Sequence, residues 1–227
     1  MRRLAIATRV LIAITVIVAI VGQLSLSLSN WRDAGIDNPV VQVVNFFSFF
    51  TIESNVLTVV VALLGAWFLL RGDRDDRGWY LGLRAAAVTY MATTGIVYNL
   101  LLRGIELPQG TTLGWSNEIL HVVAPAYLIL DWLFAPGRRP REWKAVWPIL
   151  IFPLVWGIYT LIRGPITFDA VTGKSYWYPY PFLNPNTSPE GYLSVSFYIV
   201  LIAAVIGLVG LGVVWVSKRP LPAISRG

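Results

Sequence analysis

The sequence contains no cysteine, which excludes disulfides, thiolate nucleophiles and thiolate-held metals. It has one histidine, His121, so a zinc site built on two histidines and an intrachain bis-histidine haem are excluded as well. No metal and no cofactor is expected. Charge is scarce too: 13% of the residues are charged and 56% are hydrophobic. A soluble domain of 227 residues needs far more polar surface. The composition is that of a polytopic membrane protein, all-α and built as one domain. The net charge of +6 comes from lysines and arginines in short loops between apolar runs, where orientation signals belong. Membrane lipids, not nucleic acid, are therefore the expected partners. No internal repeat is evident, which counts against transporter folds made of inverted repeats.

What the sequence does have is long apolar runs. Leu4–Leu24, Val44–Leu70, Trp79–Leu102, Trp115–Ala135, Trp143–Arg163 and Tyr192–Val216 are each long enough to cross about 30 Å of hydrocarbon as a helix. This predicts six transmembrane helices. Arg9 interrupts the first run and no small-residue cleavage site follows it, so it reads as a retained span. With the N-terminus inside, only Arg32, Arg103, Arg163 and Lys174 fall on the outer side, and every other basic residue falls on the inner side. Both termini are expected in the cytoplasm, the protein lying in a bacterial cytoplasmic membrane.

The loops differ in character. Arg71 to Gly78 alternates in charge and reads as a solvated turn. Pro136 to Arg141 is basic and suited to anionic headgroups. The outer loop, Gly164 to Gly191, carries Tyr176, Trp177, Tyr178, Tyr180 and Phe182 among prolines. It reads as a lid over the outer face or as an aromatic belt. Gly173-Lys174-Ser175 is not a phosphate-binding loop, because Phe168 stands where the first glycine belongs.

Polar residues in hydrocarbon are costly and mark function or helix packing. At the helical rise Thr51 lies about 10 Å below Val44, and His121 about 9 Å below Trp115. Tyr98 and Asn99 end the third span at the same face, and Asn117 and Glu118 sit one turn above His121. Helical phase places Asn45, Ser48, Thr51, Ser54, Asn55 and Thr58 on one side of the second span, with Glu53 pointing away. A threonine hydroxyl becomes a nucleophile when a base takes its proton, histidine suits that task, and amides or phenols can donate to an oxyanion. Asn55, Asn117, Asn99 and Tyr98 are the candidate donors. The same layer also fits a non-catalytic lipid- or small-molecule-binding protein, or a transporter relaying protons through Glu53, Glu118 and His121. It fits helix packing alone as well. Near the inner face an Arg84–Asp131 structural pair is expected.

Three stretches carry a resemblance. Phe50-Thr51-Ile52-Glu53-Ser54-Asn55 resembles the threonine motif in the second span of the androgen-induced family of membrane proteins. That family includes the androgen-dependent TFPI-regulating proteins. Trp115-Ser116-Asn117-Glu118-Ile119-Leu120-His121, followed by Pro125, resembles its histidine motif, and Trp177-Tyr178-Pro179 its outer-loop signature. The size, six-span layout and motif order are closest to the prokaryotic branch. The resemblance implies a Thr51 nucleophile, a His121 base and hydrolysis of a lipid ester of the fatty-acid–hydroxy-fatty-acid type within the bilayer. Trp177 and Tyr178 would then stand near the substrate.

Overall fold

The computed structural model describes residues 2–105 and 112–220. Among them the fold is all-helical, with no β-strand and one isolated bridge from Asp169 to Lys174. Five helices, with their flanking turns, are long and apolar enough to cross a membrane: α1 (Arg2–Asp33), α3 (Phe50–Arg71), α4 (Gly78–Val97), α7 (Val146–Arg163) and α8 (Tyr192–Ser217). The remaining expected span is helical throughout, as α5 (Gly114–Glu118), a π-helical turn (Ile119–Val123) and α6 (Ala124–Phe134). It is not among the five, because it carries Asn117, Glu118, His121 and Asp131. At the upper end of the bundle α1, α4 and α7 finish while α3, α5 and α8 begin.

α4 is the central helix. It packs against α3, α6, α7 and α8, while α1 lies on α3. Small residues permit this closeness: Ala85 and Ala87 are buried in α4, and a Cβ at Gly65 of α3 would collide with the Tyr80 hydroxyl. The outer faces of α7 and α8 stay apolar, with Leu154, Ile158, Val200 and Leu208 exposed. A surface of this kind belongs against lipid.

The expected helix from Val44 is in fact two. A short α2 (Val40–Phe47) ends at Ser48, Phe49 is extended at φ −70° and ψ 127°, and α3 starts at Phe50. α7 causes the break. Trp156 Nε1 donates to the Ser48 carbonyl at 3.0 Å, and the Ser48 hydroxyl lies 2.9 Å from the Tyr159 hydroxyl while donating to Val44 O at 2.7 Å. With its backbone acceptor and side chain held this way, Ser48 closes one helix and cannot continue it.

A buried ionic network closes the lower end. The expected Arg84–Asp131 pair is present at 2.7 Å, and Arg9 joins it at 3.0 Å. Asp76 completes it, 2.6 Å from Arg84 and 5% exposed. The Arg71–Gly78 turn is therefore not wholly solvated. Asp76 is pulled inward because Arg84, 0% exposed, needs a second anion once Asp131 is shared with Arg9. Gly137, at φ +105°, allows the next loop to pass close over that carboxylate, which a Cβ would strike.

Pro153 lies inside α7 and deprives the Ile149 carbonyl of its helical donor. Tyr90 of α4 supplies the missing bond, its hydroxyl donating to Ile149 O at 2.6 Å. Such repair is what hydrocarbon requires of an interrupted helix.

Candidate active site

Because α3 starts at Phe50, Thr51 stands in its first turn, at the upper end of the bundle. Its amide is one of the N-terminal N–H groups that a helix leaves without an internal acceptor. The acceptor comes from the Gly164–Gly191 loop: Tyr180 Oη lies 3.3 Å from Thr51 N and 3.3 Å from Thr51 Oγ1. Tyr180 is wedged by an edge-on contact with Phe49 and a stack on Phe182. Burial pushes its phenol up to about 12, so it keeps its proton at neutral pH.

His121 sits in the π turn between α5 and α6, with Nε2 3.2 Å from Thr51 Oγ1. The turn has a local cause: Pro125 lacks the N–H that would bond His121 O, and the helix widens just before it, with Ala124 N–H bonding Ile119 O. Gly95 lets α4 come close there, since a Cβ at that position would stand 3.2 Å from Pro125.

The tautomer follows from the partners. Nδ1 lies 2.9 Å from the Asn117 carbonyl, which only accepts, so Nδ1 carries the proton and Nε2 offers its lone pair to the Thr51 hydroxyl. The Thr51 proton points to His121, and Tyr180 O–H can then donate to Thr51 Oγ1 while accepting from Thr51 N–H. A neutral backbone carbonyl orients the base here, where a carboxylate does so in other dyads.

The other expected residues divide. Asn55 has both amide hydrogens engaged, donating to Thr51 O at 2.9 Å and to Leu120 O at 3.1 Å. It braces α3 against the π turn and has no hydrogen left for an oxyanion. Asn117 donates to the Tyr98 hydroxyl, and the Tyr98 ring stacks on His121. Asn99 and Glu118 lie on the exposed rim, both held by Arg103, at 2.9 Å and 3.0 Å. Glu53 lines a separate cavity between α3, α4 and α7, together with Val56, Tyr90 and Phe152. Its Oε2 has no hydrogen-bond partner. Trp177 packs on Phe49 and Arg163, and Tyr178 lies under Gly164. Both anchor the loop, and the hydrogen bonds to Thr51 come from Tyr180 and His121.

Tyr180 is the site residue that sequence reasoning did not single out. Its signal was the aromatic loop read as a lid, with nothing to separate it from its neighbours. Among the described residues no cluster of histidine and acidic side chains is arranged to hold a metal.

Two cavities meet at Thr51. One, of about 250 Å³, runs down between α4, α7 and α8 and is almost wholly apolar. The other, of about 380 Å³, opens at the upper end and is lined by Gln23, Ser27, Thr112, Ser116, Asn117 and His121 among others. Thr51, Tyr98, Leu102 and Tyr180 face both. Compared with protein-family models, curated proteins and solved structures, the chain matches none.

Proposed function

We propose that this chain is a six-span membrane protein with both ends on the cytoplasmic side that hydrolyses lipid esters, Thr51 being the nucleophile and His121 the base. The observation that carries the reading is the Thr51 Oγ1 to His121 Nε2 contact of 3.2 Å, with the opposite ring nitrogen fixed on a carbonyl. A packing threonine in a membrane helix ordinarily bonds its own backbone, as Thr58 and Thr89 do here at 2.9 Å. Thr51 does not. The resemblance to the androgen-induced family assigns the same two residues the same roles.

In the proposed reaction His121 Nε2 takes the hydroxyl proton as Thr51 Oγ1 attacks the ester carbonyl. The carbonyl oxygen becomes an oxyanion at the N-terminus of α3, where the helix dipole and Tyr180 O–H stabilise it. Collapse breaks the ester C–O bond, and His121 returns the proton to the departing alcohol, leaving acyl-Thr51. Water then enters from the upper cavity and gives a proton to His121. Its oxygen adds to the acyl carbon, and the acid leaves as Thr51 recovers its proton. No cofactor takes part.

The test is labelling of purified protein in nanodiscs with a fluorophosphonate, mapped by peptide mass spectrometry. Labelling at Thr51 that disappears in His121→Ala supports the dyad. Ester turnover that persists in Thr51→Ala overturns it. A rival reading, in which the polar layer binds or transports a ligand, rests on the unpartnered Glu53 carboxylate and its separate cavity. It requires Glu53-dependent binding or flux that survives Thr51→Ala.

A further inference from the structure

We infer that the substrate is an ester of an aliphatic acid with a neutral polyol, its acyl chain in the α4–α7–α8 cavity and its alcohol in the upper cavity. The inference rests on the hydrolase reading and adds a direction to it. A base that takes the nucleophile's proton must hand it to the departing oxygen, so the alcohol leaves on the side that the base faces. His121 lines the upper cavity and does not line the apolar one. The acyl arm is thereby assigned to the apolar cavity, and the arm that leaves to the upper one, where polar groups are mixed with apolar ones.

The two linings suit these occupants. Apart from the groups at Thr51 and the hydroxyls of Thr93 and Thr94, the acyl cavity is walled by Leu150, Pro153, Leu161, Ile199, Ile202 and Ile206 among others. Leu154 and Ile158, both on its wall, are 56% and 59% exposed. A chain can therefore reach it sideways between α7 and α8. In proportion to the ~150 Å³ cavity that takes benzene, its enclosed part holds about ten carbons. The upper cavity offers hydroxyls and amides, and none of its described lining residues carries a formal charge. On the rim Arg103 and Glu118 neutralise each other at 3.0 Å. Among the described residues a phosphate or carboxylate on the alcohol finds no cation there, whereas a polyol meets hydroxyls and amides set among apolar side chains such as Trp31, Phe46 and Ile52.

Ile199, Ile202, Ala203 and Ile206 form one face of α8 along the acyl cavity, and Ala203 is its smallest side chain. Gly157 faces the same cavity from α7, and a Cβ there meets nothing within 4 Å. The experiment compares 1-decanoylglycerol with 1-butanoylglycerol, decyl butanoate and 1-decanoylglycerol 3-phosphate, using wild type, Ala203→Phe, Gly157→Leu and Thr51→Ala in nanodiscs. In wild type, 1-decanoylglycerol is expected to have the highest kcat/KM of the four. Either cavity-filling variant lowers the decanoyl-to-butanoyl ratio at least tenfold, roughly the effect of excluding two methylenes from an apolar site. Preference for decyl butanoate or for the phosphate ester overturns the assignment of arms or of headgroup. Thr51-dependent turnover whose ratio neither variant changes overturns the acyl cavity while leaving the hydrolase reading intact. If no ester in the set is turned over in a Thr51-dependent way, the hydrolase reading and this inference fall together.

Discussion

Tyr98 lies nearly flat against His121, with ring centroids 4.1 Å apart and planes 24° from parallel. Asn117 joins the same two rings a second time, its amide donating to the Tyr98 hydroxyl and its carbonyl accepting from His121 Nδ1. Each ring belongs to a π-helical turn, Tyr98–Leu102 or Ile119–Val123, and the wider turns bring the rings face to face. His121 is thus restrained in plane by a hydrogen bond and out of plane by a stack. A base so placed needs little reorganisation to meet the Thr51 proton.

Tyr98→Leu removes the stack and the acceptor for Asn117. Aromatic pairs contribute about 0.5–1.5 kcal/mol beyond burial, so kcat is expected to fall about tenfold, with KM changing less. Tyr98→Phe keeps the stack and should lose only about two- to threefold. Equal losses in the two variants would place the effect in the hydroxyl and not in the stack. Steady-state ester kinetics in nanodiscs decides between them.

Tyr180→Phe tests the oxyanion assignment, because the ring keeps its contacts with Phe49 and Phe182 while the donor is lost. Removing one such donor typically costs about 10²–10³ in kcat. The phenol also sets a pH limit. Its value is raised from 10.0 to about 12 by burial, so between those values the unfolded chain releases this proton and the native protein retains it. Titration of Tyr180 accordingly leaves stability unchanged below about pH 10 and lowers it above. The melting difference between wild type and Tyr180→Phe, which already includes the lost bonds to Thr51, should stay constant up to about pH 10 and shift above it, with wild type losing more. A shift in that sense already near neutral pH would contradict the buried, protonated phenol.

The long apolar runs were legible because burial in a membrane-like core leaves a signal over whole helices. α4, α7 and α8 start and stop close to the expected positions. Thr51 and His121 could be placed in one layer by counting rise, and their contact could not, since it depends on lateral packing. The break at Ser48 was hidden for a related reason. The groups that impose it, Trp156 and Tyr159, lie more than a hundred residues away and reach Ser48 only after α7 has docked. Asp76 looked like a solvated turn residue until Arg84 drew it in. Tyr180 sits in a loop with no periodicity, so only tertiary contact distinguishes it from Tyr176 or Tyr178.

Glu53→Gln separates the two readings of the polar layer. Glu53 lines a different cavity from Thr51 and shares no hydrogen-bond partner with the dyad. No hydrogen bond joins Glu53 to the dyad, and its carboxylate reaches the site only as a charge acting on Tyr180, so turnover should stay within about twofold of wild type. A tenfold loss, or ligand flux abolished by the substitution, would favour the transport reading.

Arg84→Met removes the cation that links Asp131 to Asp76 at the lower end. Removing one member of a buried ion network commonly costs about 3–5 kcal/mol, and for a chain of this size that lowers the melting midpoint by roughly 10 °C. Asp131→Asn should be comparable, since it deprives both Arg9 and Arg84 of their shared acceptor. Both variants lie at the opposite end from Thr51. The folded fraction should therefore still label at Thr51, which a direct role in chemistry would not allow.

Pro125→Ala asks whether the π turn is what aims the base. The missing N–H at Pro125 leaves His121 O without its ordinary helical donor, and the turn relaxes to the longer Ala124 N–H to Ile119 O bond. Alanine restores the donor and favours a regular helix. Closing the turn removes one residue from it, a rotation of about 100° for the side chains on one side of the turn relative to the other. That rotation would carry His121 Nε2 away from Thr51 Oγ1 and off the Tyr98 ring. The variant is expected to melt no lower than wild type and yet to lose about a hundredfold in kcat, the scale of a misplaced catalytic group. Amide exchange across residues 119–124 reports the closure independently, through slower exchange once the regular bonds form. Full activity together with that closure would show that Thr51 does not depend on His121 for its proton.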